Sequence, residues 1–212
     1  MKRGSTKDLT IIALMAAVTA VMAQLAIPMP GGVPMTLQTL AVTMAGVILG
    51  QKLGTLSMVI YMAIGLIGVP VFSSFTGGAG VFLGPTGGFI WSFPIMALII
   101  GYGADKEFAR KAISCTTSNA YVKPNQASTA ANSNNTPACS HKYGSPRFWF
   151  FLILGTAINY YVGTTAFCYI TDASISAGIA ACVIPFIPTT IIKALLGGLL
   201  GLRIRTSLSR LN

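Results

Sequence analysis

Residues 9–27 read Leu-Thr-Ile-Ile-Ala-Leu-Met-Ala-Ala-Val-Thr-Ala-Val-Met-Ala-Gln-Leu-Ala-Ile, without a charged side chain. An apolar helix of roughly 17 to 25 residues is long enough to cross a bilayer. A cleaved signal peptide is the alternative, because Lys2 and Arg3 precede the run. The apolar region of a signal peptide has only about 7 to 15 residues and ends at a cleavage site, for which no good candidate exists here. We therefore interpret residues 9–27 as a first membrane span.

The composition of the whole chain indicates the same class of protein. Of its 212 residues, 53% are hydrophobic and only 8% are charged, whereas a soluble domain has about 25% charged residues. Apolar segments recur along the chain, and they predict an all-α integral membrane protein of the plasma membrane. We expect residues 1–212 to form one domain of six transmembrane helices, at about 9–27, 36–50, 53–69, 88–104, 148–170 and 178–202.

The basic residues predict the orientation of these spans. In a six-span topology, thirteen of the fourteen Lys and Arg residues fall on one side of the membrane. The connections on the other side, 28–35, 70–87 and 171–177, contain none. The positive-inside rule then places both termini in the cytoplasm. The net charge of +10 is explained by a basic fringe facing anionic lipid, so no nucleic-acid partner is expected.

Residues 106–147 differ from the rest of the chain. Residues 114–140 are dominated by Ser, Thr, Asn and Ala, which predicts a low-complexity, loosely ordered cytoplasmic loop. Cys115, Cys139 and His141 lie there without the number or spacing of ligands that a metal site needs, so we expect no metal. We expect no cofactor either. Cys168 and Cys182 flank the last outer connection, and either free thiols or a disulfide fits the sequence.

The chain lacks the residues that most catalytic mechanisms require. Its four acidic residues all lie at span ends or in loops, and its one histidine lies in the 106–147 loop. This distribution excludes a catalytic acid–base pair inside the membrane, so the sequence does not favour an enzyme. Ion-driven transporters usually embed carboxylates along the ion path, and none is present. A membrane protein that binds a ligand without its own energy source remains.

A glycine cluster lies between the third and fourth predicted spans. Residues 75–89 read Phe-Thr-Gly-Gly-Ala-Gly-Val-Phe-Leu-Gly-Pro-Thr-Gly-Gly-Phe, with six glycines. A phosphate-binding loop would need the string G-x-x-x-x-G-K-[ST], which does not occur. The predicted topology also places the cluster on the outer side, away from cytoplasmic nucleotides. We interpret it as a lid whose bare backbone approaches a small ligand.

Lys193 is the fourteenth basic residue, and it lies inside the last predicted span. An ammonium at the bilayer centre costs about 2.5 to 3.5 kcal/mol on insertion scales. Its side chain either extends to the interface or pairs with an anion. Because the spans contain no carboxylate, a ligand carboxylate is the natural counter-ion. Thr190 lies three residues earlier, on the same helix face.

Parts of the sequence resemble a known protein family. Four stretches are similar to the BioY proteins, the biotin-binding S components of energy-coupling factor (ECF) transporters. They are Val33-Pro-Met-Thr-Leu-Gln-Thr-Leu40, Leu49-Gly-Gln-Lys-Leu-Gly54, the glycine cluster from Gly77 to Phe89, and Pro185-Phe-Ile-Pro-Thr-Thr-Ile-Ile-Lys-Ala194. The resemblance implies an S-component-like bundle that captures biotin or a close analogue at the outer face. It also implies partners, namely a membrane coupling subunit and two cytoplasmic ATPases that hydrolyse ATP.

The resemblance, together with the polar and aromatic residues near the spans, supplies a predicted substrate-binding set. Its members are Gln38, Thr76, Gly77, Gly78, Phe82, Gly84, Gly87, Gly88, Phe89, Asn159, Tyr160, Thr190 and Lys193. Small residues on the first helix predict a docking surface for the coupling subunit, because they permit close helix approach: Ala13, Ala16, Ala17 and Ala20.

Thr190 departs from the family, which carries an aspartate at this position. A hydroxyl lacks the charge assistance that roughly doubles the strength of a hydrogen bond. We therefore expect weaker biotin binding or an altered ligand. Two other functions stay open at this point: a solitary vitamin transporter that needs no ATPases, and a non-transporting membrane scaffold.

Overall fold

The computed structural model describes residues 6–29, 33–120 and 144–208, and for 111–120 it describes the helical backbone alone. The chain forms a helical bundle with a two-stranded antiparallel sheet, in which Ala26 pairs with Thr36. The elements are α1 Thr6–Gln24, β1 Ala26–Ile27, β2 Met35–Thr36, α2 Gln38–Leu66, α3 Ala79–Phe82, α4 Gly87–Ala120, α5 Pro146–Thr171, α6 Ile175–Cys182 and α7 Ile187–Leu208. Short 3₁₀ turns occur at Ser73–Phe75 and Ile184–Phe186.

The long element α2 is a helical hairpin. Gly50 has φ 77° and interrupts the helix, and a methyl group on Gly54 would lie 2.8 Å from the carbonyl oxygen of Ala45. The side chains of Gln38 and Tyr61, 23 residues apart in the chain, also share a 2.6 Å hydrogen bond. A continuous helix rises about 1.5 Å per residue and would hold these two residues far apart. The predicted second and third spans are therefore separate helices that run antiparallel.

The six predicted spans are confirmed as six apolar helical segments. Within the described residues, five stretches are long and apolar enough to cross a membrane, and one of them is the α2 hairpin: Thr6–Gln24, Gln38–Leu66, Gly87–Arg110, Pro146–Thr171 and Ile175–Leu208. Large apolar side chains such as Leu14 and Ile153 lie on the surface of the helical bundle, with exposed fractions of 59% and 65%. In water such a surface would be unfavourable, whereas in a bilayer it contacts lipid.

Two helix boundaries differ from the expectations. Helix α4 continues to Ala120 instead of ending near residue 104. The apolar run ends near residue 104, but the residues that follow include good helix formers such as Ala, Lys, Glu and Arg, so the helix extends beyond the apolar run. Residues 106–120 are therefore helix rather than loop. The last span is split between α6 and α7 by a 3₁₀ turn that contains Pro185, which cannot donate a backbone hydrogen bond.

The remaining predictions about the 106–147 segment and the cysteines have different outcomes. Residues 121–143, with Cys139 and His141, lie outside the described residues, as does the side chain of Cys115. Cys168 and Cys182 are both free thiols.

Ser145, at the start of α5, donates its backbone N–H and its hydroxyl to the buried carboxylate of Glu107, at 3.1 and 2.5 Å. This pair of bonds ties the start of α5 to α4.

Candidate ligand-binding site

A cavity opens at one end of the bundle, where β2, the segment 72–76, α4, α5 and α7 meet. It encloses about 660 Å³ of empty space, its open mouth included. Six residues of the predicted set line it: Gln38, Thr76, Phe89, Asn159, Tyr160 and Lys193. The other lining residues are Val33, Pro34, Thr36, Thr39, Phe72, Ser73, Val81, Thr86, Ile90, Phe93 and Phe186.

Lys193 reaches the cavity from the second turn of α7, and only 8% of the residue is exposed. Its ammonium donates a 2.7 Å hydrogen bond to the carbonyl oxygen of Thr36, which the pairing of β1 with β2 holds in place. Among the described residues, no carboxylate lies within ion-pair distance of Lys193. An ammonium has three donors, so the cavity contains a buried positive charge with bonding capacity left.

Asn159 supplies a second polar side chain with unused hydrogen-bonding capacity. It is fully buried, and its Oδ1 lies 2.6 Å from the hydroxyl of Ser92, which also lies 2.8 Å from the carbonyl oxygen of Phe89. Its Nδ2 has no hydrogen-bond partner among the described residues. Turning the amide over would pair Nδ2 with Ser92 and leave Oδ1 unpaired instead. Either way, one polar end of Asn159 is unsatisfied at the cavity wall.

Tyr160 connects the cavity to Thr190. The two hydroxyl groups are hydrogen-bonded, and the ring of Phe89 packs edge-to-face on the ring of Tyr160 at 6.2 Å. Thr190 itself is not among the cavity-lining residues. Its side chain therefore lies behind Tyr160 and orients the phenol.

Gln38 is bonded on both ends of its side chain. Its Nε2 donates to the hydroxyl of Tyr61, which in turn lies 3.0 Å from the carbonyl oxygen of Val71, and its Oε1 accepts from the hydroxyl of Thr36 at 3.1 Å. These bonds link β2, both arms of the α2 hairpin and the segment that follows it. Gln38 thus shapes the cavity wall while its amide is already occupied by protein groups.

The predicted glycines and Phe82 lie outside the cavity lining. A methyl group on Gly77, Gly87 or Gly88 would lie 2.4, 2.0 or 2.3 Å from protein atoms, so these glycines allow segments of the chain to pack closely. Gly78 has φ 91° and donates to the carbonyl oxygen of Gly65 at 2.7 Å. Gly84, in the turn before α4, is likewise absent from the lining. The structure thus places this cluster in turns and helix contacts.

Phe82 belongs to a row of packed aromatic rings behind the cavity. Its ring lies 5.4 Å from the ring of Phe72 and 5.4 Å from that of Trp91, both edge-to-face. Phe72 lines the cavity itself and is 1% exposed. Phe82 therefore supports the wall from outside.

Sequence reasoning missed most of the apolar wall. Phe89, Ile90 and Phe93 on α4, together with Thr86 just before that helix, occupy positions i+3, i+4, i+7 and i, a helical spacing that is visible in the sequence. Starting from Phe89, this periodicity would have found the other three. Phe72 and Phe186 carry no such signal, because they come from irregular segments that only the fold brings to the site.

The predicted docking alanines on α1 divide between two faces. Ala13 and Ala17 are exposed, and they lie on a stripe with Leu14 and Val21. Ala16, which is 4% exposed, and Ala20 pack against the hydrophobic core. The small-residue surface open to a partner is therefore formed by Ala13 and Ala17.

The fold and cavity define a multi-pass membrane protein with a cavity at one end of a six-helix bundle. A solved structure described as the S-component for biotin from an ECF-type ABC transporter matches it with a TM-score of 0.70 and 28% identity, over 96% of this chain and 95% of that one. The class is thus the S-component type of plasma-membrane protein. The family profile described as the BioY family matches residues 1–210, and the chain belongs to the BioY family.

Curated relatives agree with this assignment. The biotin transporter BioY2 of Lactococcus lactis is 31% identical over 212 residues, which cover all of this chain and 97% of that protein. The probable biotin transporter BioY of Pyrococcus horikoshii is 48% identical over 100 residues. That second alignment covers 47% of this chain and 61% of the relative, less than two thirds of its length.

Proposed function

We propose that this chain is the substrate-binding membrane subunit of an ECF-type importer and captures biotin or a close analogue at the outer face. The observation that carries the proposal is the buried charge of Lys193, which has no carboxylate partner among the described residues. A buried charge is stable only when it is paired and hydrogen-bonded. A carboxylate ligand supplies the missing anion.

The two ends of biotin suit the polar groups of the cavity. Its carboxylate pairs with Lys193 in a charge-assisted hydrogen bond. Its ureido ring offers both N–H donors and a carbonyl acceptor, so it satisfies whichever polar end of Asn159 is unpaired. The apolar remainder of the molecule contacts the aromatic wall formed by Phe72, Phe89 and Phe93.

The outer-face orientation and the partners have separate support. The cavity is at the end of the bundle whose connections contain no basic residue, which the positive-inside rule places outside. The chain contains no G-x-x-x-x-G-K-[ST] string for binding nucleotide phosphates. Energy for uptake therefore comes from partners, a membrane coupling subunit with two cytoplasmic ATPases, and α1 presents Ala13 and Ala17 for docking.

The test is a calorimetric cycle that removes the charge from the protein and from the ligand. Lys193→Gln keeps a hydrogen-bond donor for Thr36 but removes the charge, and biotin methyl ester removes the carboxylate charge. Since a hydrogen bond to a charged group contributes about 1.5 to 3 kcal/mol, we expect Lys193→Gln to weaken biotin binding by about 10- to 150-fold. The variant should bind the ester as the unaltered protein does.

Two outcomes would contradict the proposal. Equal losses for biotin and its ester would remove the carboxylate–lysine pair, and the absence of saturable binding to the unaltered protein would favour a scaffold. Arg203→Gln, an exposed charge near the other end of α7, is the matched control and should change neither affinity. Uptake by cells that produce the chain with and without the coupling proteins separates the importer subunit from a solitary transporter.

A further inference from the structure

The side chain of Gln24, the last residue of α1, connects that helix to the segment 70–76. Its Nε2 donates to the carbonyl oxygen of Phe72 at 3.1 Å and lies 3.5 Å from that of Pro70 and 3.3 Å from that of Ala20. Its Oε1 accepts from the backbone N–H of Phe75 at 2.9 Å. The partners on one side are carbonyls and on the other an N–H, so they determine the orientation of the amide.

The segment that Gln24 contacts has an unfavourable backbone. Ser74 and Phe75 have φ of 59° and 56°, a left-handed conformation that side chains with a Cβ rarely adopt. The segment closes on itself through a 3.0 Å hydrogen bond from the N–H of Phe72 to the carbonyl oxygen of Thr76. Phe75 itself is 72% exposed and therefore contributes little packing. A conformation of this kind persists when surrounding contacts impose it.

The same segment is a wall of the cavity. Phe72, Ser73 and Thr76 line it, whereas Gln24 is outside the lining and contacts the segment from behind. The hydrogen bonds of Gln24 hold the two ends of the left-handed turn, at Phe72 and Phe75. Loss of these bonds frees the turn to relax away from the cavity.

We propose that Gln24 is a positioning residue, which holds the segment 70–76 as a wall of the cavity and thereby sets the rate at which the ligand leaves. The inference rests on the proposed function, because it takes the cavity as the binding site. It concerns a residue that does not touch the ligand and acts through Phe72 and Thr76.

Three variants separate this role from general support of the helix. Gln24→Leu removes every side-chain hydrogen bond at similar size, and Gln24→Glu keeps the acceptor for the N–H of Phe75 while it removes the donors. Thr19→Val is the matched control on the same helix. The buried hydroxyl of Thr19 donates only within α1, to the carbonyl oxygen of Met15 at 2.8 Å.

The first measurement needs no ligand. Amide hydrogen exchange of the 70–76 segment in the purified protein should be at least tenfold faster in Gln24→Leu. It should lie between these rates in Gln24→Glu, which loses the bond to Phe72, and stay near the unaltered rate in Thr19→Val. Unchanged exchange in Gln24→Leu overturns the inference, whatever the ligand is.

The second measurement is the dissociation rate of labelled biotin. We expect Gln24→Leu to release it at least tenfold faster and Gln24→Glu to lie between, with Thr19→Val unchanged even where its melting temperature falls. Faster exchange with unaltered dissociation, or a loss in Gln24→Leu that matches Thr19→Val, overturns the positioning role. If the unaltered protein binds no biotin, the proposed function fails, and the exchange result separately decides whether Gln24 holds the segment.

Discussion

Arg205 on α7 forms an ion pair with Asp105 on α4, with Nη2 and Oδ1 2.5 Å apart. The second oxygen of Asp105 accepts the backbone N–H of Gln51 at 2.9 Å, and Arg205 also donates to the carbonyl oxygen of Val47 at 3.1 Å. One carboxylate therefore joins α4 and α7 to the turn of the α2 hairpin. Lys193 is twelve residues before Arg205, or about 18 Å along the same helix. The ion pair fixes, at a distance, the relative positions of three elements that line the cavity.

Gly50 forms the turn of the α2 hairpin beside Asp105, so we expect Gly50→Ala to lower the thermal stability of the protein. Its φ of 77° and ψ of −172° lie in a region that is essentially restricted to glycine, and a residue with a Cβ there costs about 1 to 3 kcal/mol. A methyl group there would also lie 2.3 Å from Oδ1 of Asp105. We expect a lower melting temperature in detergent, together with weaker ligand binding because the cavity elements shift.

Gly68→Ala is the control for Gly50→Ala. Gly68 has φ 108°, and a methyl group there would meet no atom within 4 Å, so it reports backbone strain alone. Gly50→Ala should lower the melting temperature further than Gly68→Ala does. Equal effects of the two substitutions would show that the contact with Asp105 contributes nothing.

Asn159→Leu should separate stability from binding. The unpaired amide end of Asn159 is buried, and leaving such a group unsatisfied costs about 1 to 3 kcal/mol. Its replacement by a side chain of similar size should leave the ligand-free protein as stable or make it more stable. Biotin affinity should nevertheless fall by about tenfold or more, since the ligand loses a hydrogen bond. Thermal unfolding and calorimetry on the same preparation measure both.

Ser92→Ala is the matched variant for Asn159→Leu. It removes the described hydrogen-bond partner of Asn159, so it should lower the stability of the ligand-free protein while affinity changes little. If Asn159→Leu destabilises the ligand-free protein and leaves affinity intact, Asn159 is a structural residue rather than a ligand contact.

Thr190→Asp should strengthen biotin binding. The hydroxyl of Tyr160, which lines the cavity, is hydrogen-bonded to Thr190. A carboxylate at position 190 can only accept, so it would hold the phenol O–H in a charge-assisted bond and leave the phenol oxygen free to accept an N–H of the ligand. A gain of about 1 to 1.5 kcal/mol would tighten the dissociation constant by roughly 5- to 10-fold. Titration calorimetry with purified protein measures it.

Thr189→Asp provides the comparison, because it adds the same charge one residue away. The hydroxyl of Thr189 donates to the carbonyl oxygen of Phe186 at 2.9 Å instead of contacting Tyr160. No gain in affinity is expected there. Equal or weaker binding by Thr190→Asp would show that threonine at this position does not limit affinity.

The sequence predicted those features of the fold that depend on composition along one segment. Uniform apolarity located six spans, and the predicted break between the spans 36–50 and 53–69 coincides with the turn of the α2 hairpin at Gly50. The four quoted stretches led to the BioY family, which the comparisons confirm. The end of α4 was missed because hydropathy reports where the bilayer ends rather than where the helix ends.

The cavity was harder to predict because its wall is assembled from distant segments. Polar residues such as Lys193 and Asn159 attract attention in an apolar span, since each carries a desolvation cost that needs an explanation. Phe72 and Phe186 are ordinary apolar residues until the fold brings them together. Gly87 and Gly88 were predicted to contact the ligand, and a methyl group on them would come closest to atoms of Phe82 and Ala166. A glycine in a sequence does not specify which chain or molecule approaches it.

The exposed stripe of α1 leads to a last prediction, about the partner subunit. Ala17 is exposed on the bundle surface, whereas Ala16 is buried against the core. Small residues allow close helix approach within a bilayer, so Ala17→Trp should block docking by steric exclusion. Biotin affinity of the isolated chain should stay unchanged, because no residue of α1 is among those that line the cavity. Co-purification with the coupling subunit and ATPases should be lost.

Ile153→Trp is the control, at a 65% exposed lipid-facing position on α5, and this variant should still co-purify with the partners. Retention of the partners by Ala17→Trp would exclude this face of α1 as the docking surface.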